Sequence, residues 1–547
     1  MKKTLSLLLV AALTTGVFAK VKNVIVLVPD GCDATIQTLA RWYKGEDLQI
    51  DKMRRGAVKI HMANSIITGS AAAATAFSSG YKTTVRFLGI APSEDNYTNL
   101  PGTEIKHEPY APMATVLEAA KLKGKAVGLV STSRITHATP AAFACHIHDR
   151  GMDNEIMEHM VYQNLDVAFG GGGRHLITKA EGGKRTDGEN LKQVLLDRGY
   201  AYVETRDELL ALEADKAWGM FASSHMDADM DRAEFNPTEP SIAEMTAKAL
   251  EILSQDPDGF FIMIEGSQVD WAGHNNDPVY MTTDMIAFDE AVEVAVDFAK
   301  KNKNTLVLAF PDHNTGGPKI GHYYTSTHYT NTKIEDLVAP LKGMKITAGG
   351  VVDKMEDDYS IANIQSAVSE WWGLDITAED AQDILDYAAD VGMSYSLARI
   401  LSERYTIVGW TTHGHNGEDV PVWAYGKGSG AFTKLLDNTD LAKKIARKMG
   451  CNLRRTTKDL FVEVSSRPDY ELDETDPANP VVKIGDAQLP VSKDLVMVGG
   501  STYQLNGIVV HAPMTGKTYI PKQALDIIYG DYIDDYDDDD DDDDDDD

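Results

Sequence analysis

The chain has 547 residues, 43% of them hydrophobic, which is long enough for a large catalytic domain with insertions and a full core. Its 84 acidic against 52 basic residues give a formal charge of −32, which argues against nucleic acid as a partner and for tolerance of salty surroundings. Three cysteines, Cys32, Cys145 and Cys451, allow at most one bridge, so no disulfide framework holds the fold together.

Residues 1–19 open with Lys2 and Lys3, continue with an apolar run at 5–10 and end in small residues up to Ala19. These are the zones of a secretory signal peptide, with cleavage expected after Ala19 and delivery to the periplasm or the medium. No later stretch holds about 18 uninterrupted apolar residues, so no membrane span is expected. Short apolar runs at 23–28, 126–130, 260–264 and 305–310 are separated by helical patterns and read as buried parallel strands. The fold class is therefore α/β, a three-layer α/β/α sandwich around a largely parallel sheet.

Polar residues follow each of these runs: Asp30 the first, the segment 131–139 the second, Glu265 the third, and Asp312 with His313 the fourth. Ligands in open parallel sheets collect beyond the carboxyl ends of strands, so four segments bring metal-type side chains to one edge. Residues 318–405 interrupt the rhythm with a polar, aromatic segment followed by a helical stretch at 378–403, expected as an insertion in a catalytic domain spanning 20–430. A strand at 420–425 returns to the sheet, and 431–455 is expected as a helical connector. Residues 456–530 change to short strand-like pieces between Pro and Gly turns, at 481–484, 495–498 and 508–511, and read as a small β-rich appendage. The acidic tail at 531–547, with eleven consecutive aspartates, cannot bury apolar surface and is expected to be disordered.

Glu265, Asp270 and His274 are spaced by five and then four residues, so a strand end and one helix face can aim all three at one cleft. Mixed carboxylate and imidazole sets suit zinc, and oxygen-only sets suit magnesium. The bland alternative is a helix cap beside a surface pair. Ser70 stands at the first turn of an Ala-rich helix, where free N–H groups and the positive dipole end favour a phosphate dianion or an alkoxide. A single Ser at such a junction is more commonly an N-cap.

Taken together, Asp30-Gly31, Ser70 before an Ala-rich run ending in Gly80-Tyr81-Lys82-Thr83, Ala138-Thr139-Pro140-Ala141 with Arg150, Glu265-Gly266 with Asp270 and His274, Asp312-His313, and His415 before Gly417-Glu418-Asp419-Val420 resemble the alkaline phosphatase family in type and order. The resemblance implies a phosphomonoesterase with Ser70 as nucleophile. It implies one zinc held by Asp270, His274 and His415, a second by Asp30, Asp312 and His313, and a magnesium by Asp30, Thr139 and Glu265. It makes Arg150 the planar fork that binds two phosphate oxygens, and it implies a homodimer. Of His413 and His415, the latter matches the family position. His137 and Trp271 look like the pair found near magnesium in some cold-adapted marine members and are expected to support the site from behind. One departure stands out: the family usually has Asp before the nucleophile, and this chain has Gly69. A related phosphodiesterase or sulfatase, or an inactive acidic binding protein on the same scaffold, are the alternatives. Sulfatases carry a Pro- and Arg-containing nucleophile motif absent around Ser70, and diesterases generally have Thr there.

Overall fold

In the computed structural model, residues 20–93, 100 and 107–530 are described, so the segments expected as signal peptide and acidic tail lie outside them. The ten strands of the main sheet are β1 (Asn23–Pro29), β2 (Arg54–Lys59), β3 (Ala126–Arg134), β4 (Val167–Gly171), β5 (Ala201–Val203), β6 (Ala217–Ala222), β7 (Phe260–Gly266), β8 (Thr305–Ala309), β9 (Val420–Gly426) and β10 (Leu435–Asp437). Their spatial order is β10-β2-β9-β8-β1-β7-β3-β4-β6-β5. Only β9 runs against its neighbours β2 and β8; the other pairs are parallel.

Strand β1 is buried along its whole length, because alternate side chains enter two different cores. Ile25 and Leu27 face one layer with the helices Ile242–Leu253 and Pro278–Lys301. Val24, Val26 and Val28 face the other with the helices Ser70–Ser79, Asp153–Tyr162 and Asn438–Met449. This is the expected three-layer sandwich. Its four central strands β8, β1, β7 and β3 lie side by side in register, with Val28 beside Glu265 and Glu265 beside Ser131. The residues that follow them therefore emerge at one edge.

The helical stretch expected at 378–403 is two helices, Ala378–Val391 and Met393–Tyr405, broken at Gly392, whose φ of 92° ends one and starts the next. Three more helices precede them, Ile334–Gly343, Ala348–Lys354 and Ile361–Trp372. The stretch at 431–455 holds the whole helix Asn438–Met449 and the start of Leu453–Leu460, and it also supplies the edge strand β10.

Beyond it, five antiparallel strands from Tyr470–Asp473 to Ser501–Gln504 form a meander, joined by a three-stranded sheet and the helix Lys522–Tyr529. This region has its own small core of Val482, Ile484, Leu489 and Val496. Ile508, Val510 and Tyr519 nonetheless pack into the main core. Asp494, fully buried, receives Arg198 at 2.7 Å and Asn164 at 2.7 Å, so the β-rich region is bolted to the sandwich by charge-assisted hydrogen bonds. The three cysteines are free. No helix among the described residues is long and apolar enough to cross a membrane.

Candidate active site

Strand β1 delivers Asp30 through a turn that only glycine fits. Gly31 has φ +73°, and a Cβ there would lie 2.7 Å from the Cα of Asp270. Asp270 and His274 sit on the helix Gln268–Asn275 that leaves β7, one turn apart, and the Nε2 of His274 is 3.4 Å from the Oδ2 of Asp270. Asp312 and His313 follow β8. His415 belongs to a two-residue strand, His415–Asn416, that pairs antiparallel with Asn314–Thr315 and so arrives beside His313. The rings of His313 and His415 stack with centroids 3.7 Å apart.

Ser70 is not an N-cap. Gly69 occupies that position in an extended conformation, and Ser70 is the first helical residue, 2% exposed, with its Oγ 3.2 Å from the Nε2 of His313. The helix behind it is buried throughout, which explains its alanines: larger side chains would not fit between sheet and neighbours.

The three histidines share one arrangement. The Nδ1 of His274 donates to the carbonyl of His413 at 2.5 Å, and that of His415 to the carbonyl of Thr68 at 2.8 Å. The Nδ1 of His313 lies 3.2 Å from the Oγ1 of Thr315. Each Nε2 faces a carboxylate instead: His313 is 3.0 Å from Asp312 and 3.5 Å from Asp30, and His415 is 3.7 Å from Asp270. Fixing one nitrogen by an outer partner leaves the other lone pair aimed inward, which is how proteins prepare imidazoles for metals.

Three sets of ligand atoms each lie within 4.8 Å of one another, Asp270–His313–His415, Asp30–Asp312–His313 and Asp30–His137–Glu265. His313 thus stands with both of the first two sets, while His274 touches the far oxygen of Asp270. Both oxygens of Asp30, one each of Asp312 and Glu265, and the hydroxyl of Thr139 are buried without any hydrogen-bond partner. Buried anionic oxygens left so exposed to one another are costly unless a cation neutralises them. The first two sets, carboxylates with imidazoles, fit zinc, and the buried oxygens of Asp30, Glu265 and Thr139 suit magnesium.

The electrostatics agree. Burial, together with Asp312, Asp270 and Glu265, pushes Asp30 well above the ordinary carboxylate range, and burial also raises Glu265. Asp270 is held low: His274, His313 and His415 outweigh its burial. Partial burial and then His313 pull His415 down to about 4, so its ring is neutral and available at neutral pH. Carboxylates of opposite tendency within a few ångströms mark a functional cluster.

Sequence reasoning missed the supports. Ser131 donates to Glu265 at 2.5 Å, Ser133 to the same oxygen at 3.3 Å, and Thr315 to Asp270 at 2.5 Å. These hydroxyls leave no spacing signal, and only the register of β3 against β7 and the short ladder at 314–315 reveal them. His413, which the sequence already set aside as a ligand in favour of His415, is a support as well. Its Nδ1 meets the carbonyl of His274 at 2.7 Å, and its Nε2 meets the hydroxyl of Tyr387 from the insertion at 3.0 Å. Arg150 is half-buried, with its Nη2 2.7 Å from the Nε2 of His137, whose ring meets that of Trp271 edge-on at 5.8 Å.

Fold and site together define a hydrolytic enzyme whose reacting groups gather at the carboxyl edge of an α/β/α sandwich. The chain belongs to the alkaline phosphatase family, whose model matches residues 21–451 under the description "Alkaline phosphatase". It is similar to "Alkaline phosphatase 3" of Bacillus subtilis, 35% identical over 457 residues, covering 80% of this chain and 91% of the relative. Among solved structures it is similar to the Thermus thermophilus alkaline phosphatase, with a TM-score of 0.70 and 26% identity over 82% of this chain and 96% of that one. A cold-active alkaline phosphatase from Shewanella sp. matches with a TM-score of 0.65 and 26% identity over 78% and 99%.

Proposed function

We propose that this alkaline phosphatase hydrolyses phosphate monoesters through a covalent phosphoserine on Ser70, at a site that takes two zinc ions and one magnesium ion. The observation that carries the reading is the Ser70 hydroxyl, 3.2 Å from the Nε2 of His313, a nitrogen that itself lies 3.0 Å from Asp312 and 3.5 Å from Asp30.

His415, His313, His274, Asp270, Asp312 and Asp30 would hold the two zinc ions, and Asp30, Thr139 and Glu265 the magnesium. Bound there, the cations supply Lewis acidity and charge neutralisation for an in-line displacement at phosphorus. The chain's own groups do the rest. The Ser70 hydroxyl gives its proton to solvent and Oγ attacks phosphorus, the P–O bond to the ester oxygen breaks and the alcohol leaves with a proton from solvent, and the phosphoryl group rests on Oγ until water attacks phosphorus, releasing phosphate and returning a proton to Oγ. The N–H groups at the start of the Ser70–Ser79 helix favour the dianion. Arg150 offers a planar fork to two non-bridging oxygens.

A homodimer and export to the periplasm or medium belong to the same reading and rest on the family resemblance and residues 1–19. The test is hydrolysis of a mono- and a diester of one chromophore at alkaline pH, before and after chelation, with zinc and magnesium returned separately and together. Monoester hydrolysis that disappears on chelation and returns fully only with both metals supports the reading. Preference for the diester, or activity indifferent to chelation, overturns it.

A further inference from the structure

Residues 441–458 carry seven Lys and Arg and no Asp or Glu, in a chain whose acidic residues outnumber its basic ones 84 to 52. They span most of the helices Asn438–Met449 and Leu453–Leu460. The apolar positions fall on the inner faces, where Leu441, Ile445, Met449, Leu453 and Leu460 are buried. The bases fall on the outer ones, with Lys443, Arg447, Arg454 and Lys458 exposed. Among the described residues, only Arg455 of the seven enters an ion pair, at 3.8 Å with Asp459, and its side chain is 83% exposed. Helix C-termini favour Arg447, Lys448 and Lys458 in their last turns, which leaves the other four without a local reason. Lys443 with Arg447, and Lys444 with Lys448, stand one turn apart and repel.

The basic face continues to the amino edge of the main sheet. The amide of Val21 donates to the carbonyl of Lys448 at 3.0 Å, and a Cβ on Gly450 would lie 2.6 Å from the Nζ of Lys20. Lys20 and Lys22, both exposed, thus join the strip at the start of β1. The reacting groups stand past the other end of that strand, about 23 Å away by strand rise. Acids bordering the strip are already engaged: Asp459 with Arg455, and Asp440 by accepting from the amide of Asp437 at 2.9 Å.

A strip of unpaired bases takes a polyanion, and the chain supplies one in the eleven consecutive aspartates Asp537–Asp547. The described chain ends close by. The Cβ position of Gly507 is 2.8 Å from Leu460 and 3.3 Å from Pro521, so the last helix, Lys522–Tyr529, starts next to the end of Leu453–Leu460. An eight-residue helix is about 12 Å long, and residues 531–536 can span up to about 20 Å, so the aspartates come within reach of the strip. So short a tether holds them at an effective concentration on the order of millimolar, which dissolved polyanions at micromolar levels do not match.

We propose that Asp537–Asp547 dock on the basic outer face of the helices Asn438–Met449 and Leu453–Leu460 of the same chain and cover it against other polyanions, anionic lipid surfaces among them. The contact is made by charge, so salt releases it.

The test compares the parent, a chain lacking Asp537–Asp547, and that shortened chain with Lys443→Glu, Arg447→Glu and Lys458→Glu. A zero-length carbodiimide joins lysine amines to aspartate carboxyls. In the parent, mass spectrometry is expected to map cross-links from 537–547 to Lys443, Lys444, Lys448 or Lys458 within one chain. They vanish at about 1 M salt, where the screening length is about 3 Å. By fluorescence anisotropy at low salt, the shortened chain binds a labelled peptide of eleven aspartates at least about tenfold more tightly than the parent, whose own aspartates occupy the face. Charge reversal abolishes that gain, and only the shortened chain with its bases intact sediments with phosphatidylglycerol vesicles. The cross-links need no variant, so a charge-reversed chain that failed to fold would leave the test standing. Cross-links confined to other lysines or found only between chains would overturn the proposal, as would equal peptide binding by the parent and the shortened chain. Equal vesicle binding by those two would give the face to lipid and overturn it as well.

Discussion

Among the described residues, the carboxylates at the sheet edge and a second, partly buried group of carboxylates are neutralised in opposite ways. Glu158, Asp187 and Glu189 come within 4.8 Å of one another, as closely as the groups at the sheet edge. Arg185, with a fully buried side chain, pairs with Asp187, reaches Glu158 at 3.6 Å and Glu189 at 3.8 Å, and donates to the carbonyl of Asn154 at 2.9 Å. Lys493 from the β-rich region adds a 2.7 Å bond to Glu189. At the sheet edge the carboxylates face imidazoles and each other, and several oxygens have no partner. Proximity of acidic groups alone therefore does not mark a metal site. What marks it is that, among the described residues, no Lys or Arg forms an ion pair with the sheet-edge carboxylates, together with imidazoles whose outer nitrogens are already tied down.

The sharpest way to break this contrast is to disable each cluster separately. Ser70→Ala removes the reacting hydroxyl and leaves every carboxylate in place. It is expected to lower kcat by roughly three or more orders of magnitude while metal content and thermal midpoint stay at parent values. Steady-state kinetics beside elemental analysis check it, and substantial residual activity with a full metal complement would contradict it. Arg185→Ala should do the reverse: loss of about 3–5 kcal/mol of stability from an uncompensated buried cluster, with kcat little changed in the folded fraction. Denaturant unfolding reads this directly.

A subtler variant tests the second cluster by pH. Burial, assisted by Glu189 and Asp187, raises Glu158 to about 7 against the pull of Lys493 and Arg185. A carboxyl whose folded pKa is raised binds more protons folded than unfolded between about 4.5 and 7, so its contribution to stability falls as pH rises through that window. Glu158→Gln is accordingly expected to gain roughly 1–3 kcal/mol relative to the parent at pH 8 compared with pH 5. A difference independent of pH would show that the ion pairs already hold Glu158 ionised.

Much of the first cluster was legible in the sequence, and almost none of the second. Asp30, Glu265, Asp312 and His313 each follow a run of apolar residues that the sheet buries, so strand ends could be read and their convergence inferred. Asp270 and His274 carry helical spacing. Arg185, Asp187 and Glu189 sit in an irregular loop with alternate spacing and no apolar frame, and Lys493 joins them from some 300 residues away. Strands β4 and β6 escaped because Gly170, Gly171 and Gly219 break their apolar runs, and β2 because Arg54, Arg55 and Lys59 make it look like a loop. The break at Gly392 was hidden for a different reason: helical periodicity continues on both sides of it.

Gly69→Asp is the smallest perturbation, adding one carboxylate to the cluster that lacks cations of its own. Its Cβ meets nothing within 4 Å, so the fold accepts it. If the new carboxylate pairs with Arg150, inhibition by phosphate tightens by a few fold and kcat falls, because product release slows. Weaker inhibition would mean that repulsion between the carboxylate and the phosphate dianion dominates.

The central claim is that the Ser70 hydroxyl takes the phosphoryl group. Incubating the metal-loaded enzyme with labelled inorganic phosphate at low pH, quenching in acid and mapping the label by peptide mass spectrometry tests it most directly. The account predicts stoichiometric label on Ser70 and none in Ser70→Ala. No acid-stable label in an enzyme that still hydrolyses monoesters, or label on a residue other than Ser70, would contradict it.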